Sequence, residues 1–198
     1  MTDNSKKFEE YFSHLKQISF LGRTYKKYVS SPILLWCSRK FGTKVMEVGC
    51  GVGSGILGAY PTRVKGIDIN TEAVEYCQSL GLEVQLIHED GSFPAKDGEF
   101  DSCILDNVIE HIVDPQKTLD ECYRITKKNG GLIIAVPGER GFQSDSDHKI
   151  YYKAIDLESL DERWQLISLF SSPFFIKNEI LSKKIRQYCL VATYRKIT

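Results

Sequence analysis

Between residues 6 and 20, Phe8, Tyr11, Phe12, Leu15 and Ile18 recur at three- and four-residue intervals with charges between them. That is the pattern of an amphipathic helix. A second apolar stretch, "SSPILLWCSRKFG" (30–42), has Pro32 where a first helical turn tolerates it and Gly42 where a helix stops. From residue 44 onward, short apolar runs alternate with amphipathic ones. "KVMEVG", "RVKGIDIN", "EVQLIHED", "FDSCILD" and "GGLIIAVP" read as five buried strands. "SGILGAY" predicts a helix of barely two turns, and residues 71–80 predict a helix with Asn70 as cap, Gly81 past its end, and Ala73, Val74, Cys77 and Leu80 on its apolar face. Residues 115–128 predict another, with Asp114 as cap, Pro115 at the first position and Asn129-Gly130 at the stop.

Strands read as continuous apolar runs between helices imply a parallel sheet covered on both faces. After Pro137 the alternation breaks. A polar loop (138–148) precedes the aromatic "HKIYYKAIDLESL", and the chain closes on "WQLISLF" and "RQYCLVATYR", which have too little helix between them for another crossover. The expected fold is therefore α/β: a doubly wound, mostly parallel seven-stranded sheet with helices on both faces and a C-terminal antiparallel strand pair.

The 198-residue length suits one domain, or one domain with an appendage. Lys plus Arg and Asp plus Glu number 26 each, so there is no basic excess of the kind a general nucleic-acid binder carries. The six cysteines show no C-x-x-C pair, which argues against a zinc site and for buried thiols in a reducing compartment. With no signal-like N-terminus and no membrane-length apolar run, the expected location is cytoplasmic.

The chemistry gathers at "VMEVGCGVGSG" (45–55). A glycine-rich turn between first strand and first helix lets backbone N–H groups approach a ligand. The glycines run G-x-G-x-G, however, and do not fit the dinucleotide spacing G-x-G-x-x-G. Asp68 ends the second strand 19 residues after Gly49, where an acid can accept from both ribose hydroxyls of an adenosine. Asp90 ends the predicted third strand, in reach of an adenine amino group. Glu47 lies inside the first strand, where a carboxylate is costly without a partner. A cationic ammonium would be such a partner, so the ligand these acids suggest is an adenosine carrying positive charge.

This constellation resembles the class I S-adenosylmethionine-dependent methyltransferases (EC 2.1.1 class). The resemblance covers about residues 43–137. "VMEVGCGVG" and "VKGIDIN" resemble the family's first two motifs, and "EDGSFP" followed by "FDSCILDNVIEHI" the third and fourth. "DPQKTLDECYRITKKNGGLIIAVP" and "HKIYY" are similar to the small-molecule branch that includes quinone-biosynthesis methyltransferases. The resemblance implies S-adenosylmethionine as cofactor, with S-adenosylhomocysteine as product. It implies that Gly49 and Gly51 approach the methionine part and that Glu47 orients its amino group. Asp68 would hold the ribose, Ile69 pack on the adenine, Asp90 and Gly91 meet the adenine edge, and Asp106 and Asn107 line the methionine end. Residues 1–42 would form a helical lid, in which Tyr11, Phe12, Phe20 and Tyr25 are interleaved with Arg23, Lys26 and Lys27. Residues 43–198 would form the cofactor-binding domain, with 138–186 supplying the substrate region.

A hydroxyl acceptor needs a base within hydrogen-bond reach. His148, in the loop after the fifth strand, and His111, after the fourth, are the candidates; His88 and His14 read as structural or inert. In "FQSDSDHK" (142–149), Asp145, Asp147 and His148 do not complete a calcium loop, so no metal is assigned, with magnesium-assisted methylation of a sugar or catechol left as an alternative. The expected partner is a small-molecule acceptor, with a sugar and a lipid-linked glycan among the classes left open, and no nucleic acid; the chain is expected to be a monomer or homodimer. Two rival readings are a nicotinamide-dependent oxidoreductase, which would use Asp68 and the Tyr123/Lys127 pair, and a catalytically silent methyltransferase-like binding subunit.

Overall fold

The computed structural model describes residues 20–197. The predicted helix over 6–20, with His14 and the aromatics Tyr11 and Phe12, lies outside the described residues but for its last position. Helix α1 (Phe20–Tyr25) continues through a wide turn, Lys26–Ser30, into α2 (Ser31–Ser38), with Pro32 in the first turn of α2 as the sequence predicts. No helix among the described residues is long and apolar enough to cross a membrane.

The sheet is seven-stranded: β1 (Val45–Val48), β2 (Val64–Asp68), β3 (Val84–Leu86), β4 (Phe100–Asp106), β5 (Thr126–Pro137), β6 (Trp164–Ser172) and β7 (Cys189–Lys196). Its order is β3-β2-β1-β4-β5-β7-β6. The first five strands pair in parallel, while β7 runs antiparallel between β5 and β6. The predicted architecture is thus what forms. Chain order reverses between β1 and β4, and ligands of open α/β sheets bind outside the carboxyl ends of the strands at such a switch point.

Strand alternation sorts the core. Met46, Val48, Cys103 and Leu105 pack on one face with α5 (Gln116–Ile125) through Leu119, Cys122 and Ile125. Val45 and Ile104 pack on the other with Leu34 and Leu35 of α2, Ile56 and Leu57 of α3 (Ile56–Ala59), and Val74 and Cys77 of α4 (Thr71–Ser79). Glu47 shares the face of Val45, which aims it at the start of α3.

Three predicted boundaries move. The third strand ends at Leu86 rather than Asp90, since the backbone of Gly91 and Ser92 turns back to bond with His88. Helix α3 has only four residues, because Tyr60 closes it and the chain turns at once into β2. Helix α5 stops at Ile125, not at the Asn-Gly pair. There Thr126 leaves the helix, donates its hydroxyl to the Cys122 carbonyl at 2.6 Å and pairs with Phe100. The pairing then slips between Phe100 and Ser102, and Asn129, at φ 61°, turns inside an irregularity of β5. The polar loop after β5 holds one turn of helix, α6 (Glu139–Phe142), and "KAIDLE" supplies α7 (Ala154–Glu158). A last helix, α8 (Glu179–Lys184), precedes β7.

Candidate active site

The glycine turn opens directly after Val48. Gly49, Gly51 and Gly53 have φ of 71°, 53° and 68°, so every second residue is left-handed, the conformation that glycine adopts without steric cost. The G-x-G-x-G spacing is therefore a backbone requirement of this turn. Two of its amides, those of Gly49 and Cys50, donate to the Ile67 carbonyl. The amide of Gly51 donates to Asp68 Oδ2 at 2.7 Å.

Asp68 is buried, as an acid holding the turn must be. Its Oδ1 accepts the N–H of Asn70, whose own side chain accepts from Ala73 and caps α4 as predicted. Burial raises the Asp68 carboxyl above its ordinary range. Ile69 follows with 62% of its surface exposed, an apolar side chain left open beside the turn.

Glu47 is also buried, and its partners differ from the one expected. Its Oε2 accepts the N–H of Leu57 at 2.7 Å and its Oε1 that of Ile56 at 3.3 Å. The first amides of α3, which have no partner within the helix, satisfy the acid in the strand. A ligand ammonium is therefore not needed to account for Glu47. Burial pushes its carboxyl up to about 7, with Asp106 adding to the rise and Lys26 opposing it.

Asp106, at the end of β4, accepts from the Asn107 side chain at 2.7 Å. Its Oδ2 is buried without a hydrogen bond among the described residues and lies 3.6 Å from Lys26 Nζ. Asp106 in turn holds the Lys26 ammonium above its ordinary range. Asn107 is left-handed, at φ 58°. Glu47, Asp68, Asp106 and Asn107 thus converge on one edge of the sheet with Gly49 and Gly51. Asp90 and Gly91 lie in the turn beyond β3, where Asp90 accepts from both the amide and the hydroxyl of Ser92.

The two histidines come together. A 3₁₀ turn, Ile109–His111, follows β4, and the loop before α7 folds onto it through the amides of Lys149 and Ile150, which donate to the Glu110 carbonyl. The rings of His111 and His148 lie 4.6 Å apart. The His148 side chain is largely covered, with Nδ1 bonded to the Phe142 carbonyl at 2.8 Å and the Phe142 ring stacked on it. His111 Nδ1 lies 3.2 Å from Asp147 Oδ2, and burial with the neighbouring His148 lowers its pKa. Glu110 lies beside them, fully buried, its carboxyl pushed up to about 8 by burial.

The sequence singled out neither Glu110 nor Lys26 as a site residue. An acid inside the apolar run "NVIEHI" was the available signal for Glu110; no local pattern distinguishes Lys26 from Lys27. The alternative pair Tyr123/Lys127 is placed away from this edge. Tyr123 donates to the Ile197 carbonyl and Lys127 pairs with Asp101 at the start of β4.

Residues 46–134 match the family described as methyltransferase domain. The chain is 28% identical over 109 residues to a probable S-adenosylmethionine-dependent methyltransferase of Mycolicibacterium smegmatis, covering 54% of this chain and 42% of that protein. It is 29% identical over 102 residues to a ubiquinone biosynthesis O-methyltransferase of Thiobacillus denitrificans, covering 48% and 44%. The chain thus spans less than half the length of these curated relatives. In fold, the chain superposes on a Thermotoga maritima S-adenosylmethionine-dependent methyltransferase, described as a possible histamine N-methyltransferase. The TM-score is 0.68 at 18% identity, over 96% of this chain and 99% of that one.

Proposed function

We propose that the chain transfers a methyl group from S-adenosylmethionine to a small-molecule acceptor. One observation carries the reading: three buried carboxylates, Glu47, Asp68 and Asp106, meet around the glycine turn at the switch point of the sheet. Such an edge is electrostatically suited to an adenosyl ligand with a cationic tail. The cofactor supplies an electrophilic methyl on a sulfonium.

The chain's own residues bind and orient. Gly49 and Gly51 leave room for the methionine part, Asp68 stands where the ribose hydroxyls would donate, and the open face of Ile69 suits the adenine. Asp90 and Gly91 flank the adenine edge. Asp106 and Asn107 line the methionine end, where the ligand's ammonium would share Asp106 with Lys26. The acceptor approaches from the Glu110–His111–His148 side, which makes His148 and His111 the groups that manage its proton. Residues 20–38 cap this edge, tied down by the Tyr25 hydroxyl, which donates to the Gln187 carbonyl at 3.0 Å. The cap and the residues of 138–186 would exclude water, and alignment of the two reactants then supplies roughly 7–11 kcal/mol toward the barrier.

Calorimetric titration of the full chain with S-adenosylhomocysteine, S-adenosylmethionine and NAD tests this. Saturable binding of both sulfur compounds is expected. Binding of NAD with no response to either of them overturns the proposal. A screen of small acceptors with methyl-labelled cofactor then identifies the substrate.

A further inference from the structure

Glu110 is the least explained charged side chain described in this chain. It is fully buried, and neither carboxylate oxygen has a hydrogen-bond partner among the described residues. An acid in that position is costly unless something positive shares the site.

What faces it is defined by hydrogen bonding. The Phe142 carbonyl can only accept, so His148 Nδ1 must carry the proton it shares at 2.8 Å. In the neutral ring Nε2 is then a bare lone pair. It lies 3.9 Å from Glu110 Oε1. That gap is too long for a hydrogen bond. It does suit two ligands of one ion, each about 2.0–2.2 Å from the metal. His111 completes the group: one atom each of Glu110, His111 and His148 lie within 4.8 Å of one another. Bound to one ion they would draw closer by about an ångström, within the reach of small side-chain rotations.

Both rings are also held from behind. Asp147 lies on Nδ1 of His111, and the Phe142 carbonyl on Nδ1 of His148. Outer-shell acceptors of this kind orient metal-binding imidazoles and raise their basicity. The amides of Lys149 and Ile150, bonded to the Glu110 carbonyl, lock the two segments in register.

We propose that Glu110, His111 and His148 form a binding site for a divalent transition-metal ion. Two imidazoles and one carboxylate suit zinc, manganese, iron or cobalt better than magnesium or calcium, which favour all-oxygen sites. Three protein ligands leave further coordination positions open. On the methyl-transfer reading, on which this last step rests, the open positions would take an acceptor that presents a hydroxyl or phenol oxygen, and the ion would replace the two imidazoles as the group that manages its proton.

The test uses the untagged, chelator-treated full chain titrated with Co²⁺ alone, followed by visible absorption and calorimetry. One ion per chain is expected. Glu110→Gln, which keeps the side chain's shape, and His148→Gln should each weaken binding at least about tenfold, while Asp114→Asn should not. Circular dichroism checks that the variants are folded, and the unaltered chain decides the matter if one is not. Absence of saturable Co²⁺ binding, or equal binding by folded Glu110→Gln and His148→Gln, overturns the site. S-adenosylhomocysteine is titrated in parallel without metal. Its binding without Co²⁺ binding removes only the ion site, and the reverse removes only the methyl-transfer reading.

Discussion

Glu47 in the first strand accepts the backbone N–H of Leu57 at 2.7 Å, so a strand residue terminates the amides of the helix that follows it. The contact depends on Gly55, where a Cβ would lie 2.5 Å from Glu47 Oε1. Gly55→Ala should displace the carboxylate from α3 and destabilise the chain by about 1–3 kcal/mol through unsatisfied amides. Urea denaturation measures this, and an unchanged midpoint would count against the capping role.

Glu47 also predicts a pH dependence. Its carboxyl is raised from an ordinary 4.5 to about 7. The folded chain then holds a proton that the unfolded chain has released, so this group's stabilisation is complete below about 4.5 and is lost as the pH rises through 7. Asp106, Lys26 and the amides of Ile56 and Leu57 are the groups that face it. Between pH 5 and pH 8 the native chain should lose about 1–3 kcal/mol more stability than Glu47→Gln does. Parallel loss in both proteins would show that Glu47 does not titrate on folding.

Asp68 joins the turn to the second strand by accepting from Gly51 and Asn70. Asp68→Ala removes both acceptors and the group assigned to the ribose. S-adenosylhomocysteine affinity should fall roughly tenfold to a hundredfold, with Asp68→Asn intermediate. Calorimetry on the two variants checks the order.

Lys26 and Asp106 connect the helical cap to the sheet at 3.6 Å, with the lysine side chain 30% exposed and the aspartate almost wholly buried. Lys26→Met alone leaves a buried carboxylate without its cation. Combined with Asp106→Asn it should cost less than the two single changes added together. A double-mutant cycle in denaturant should give a coupling of about 0.5–3 kcal/mol. A value indistinguishable from zero would show that the cap is held by other contacts.

The strands and their order of burial were legible because apolar periodicity is a local signal. Runs such as "CILD" and "LIIAV" have no stable alternative to the middle of a sheet. The cap at Asn70 and the left-handed glycines could be read for the same reason, since each is decided by neighbours within four residues. The end of α5 could not. Asn129-Gly130 is a sound local stop, but Thr126 gains a buried place beside Phe100 on a distant strand, and that contact takes the chain out of the helix three residues early.

The same division runs through the site. The sequence alone placed Asp68 and Asp106 at strand ends, because position along a parallel strand sets which residues reach its edge, whereas Asp90 lies four residues beyond the end of β3. Only the tertiary structure decided what those acids touch. Glu47 meets amides of a helix nine and ten residues on, Asp106 meets a lysine from the cap, and Glu110 lies against His148 from a loop beyond the next strand. Those partners are distant in sequence, and the energy that selects them comes from desolvation, which exists only once the core has closed around the charge.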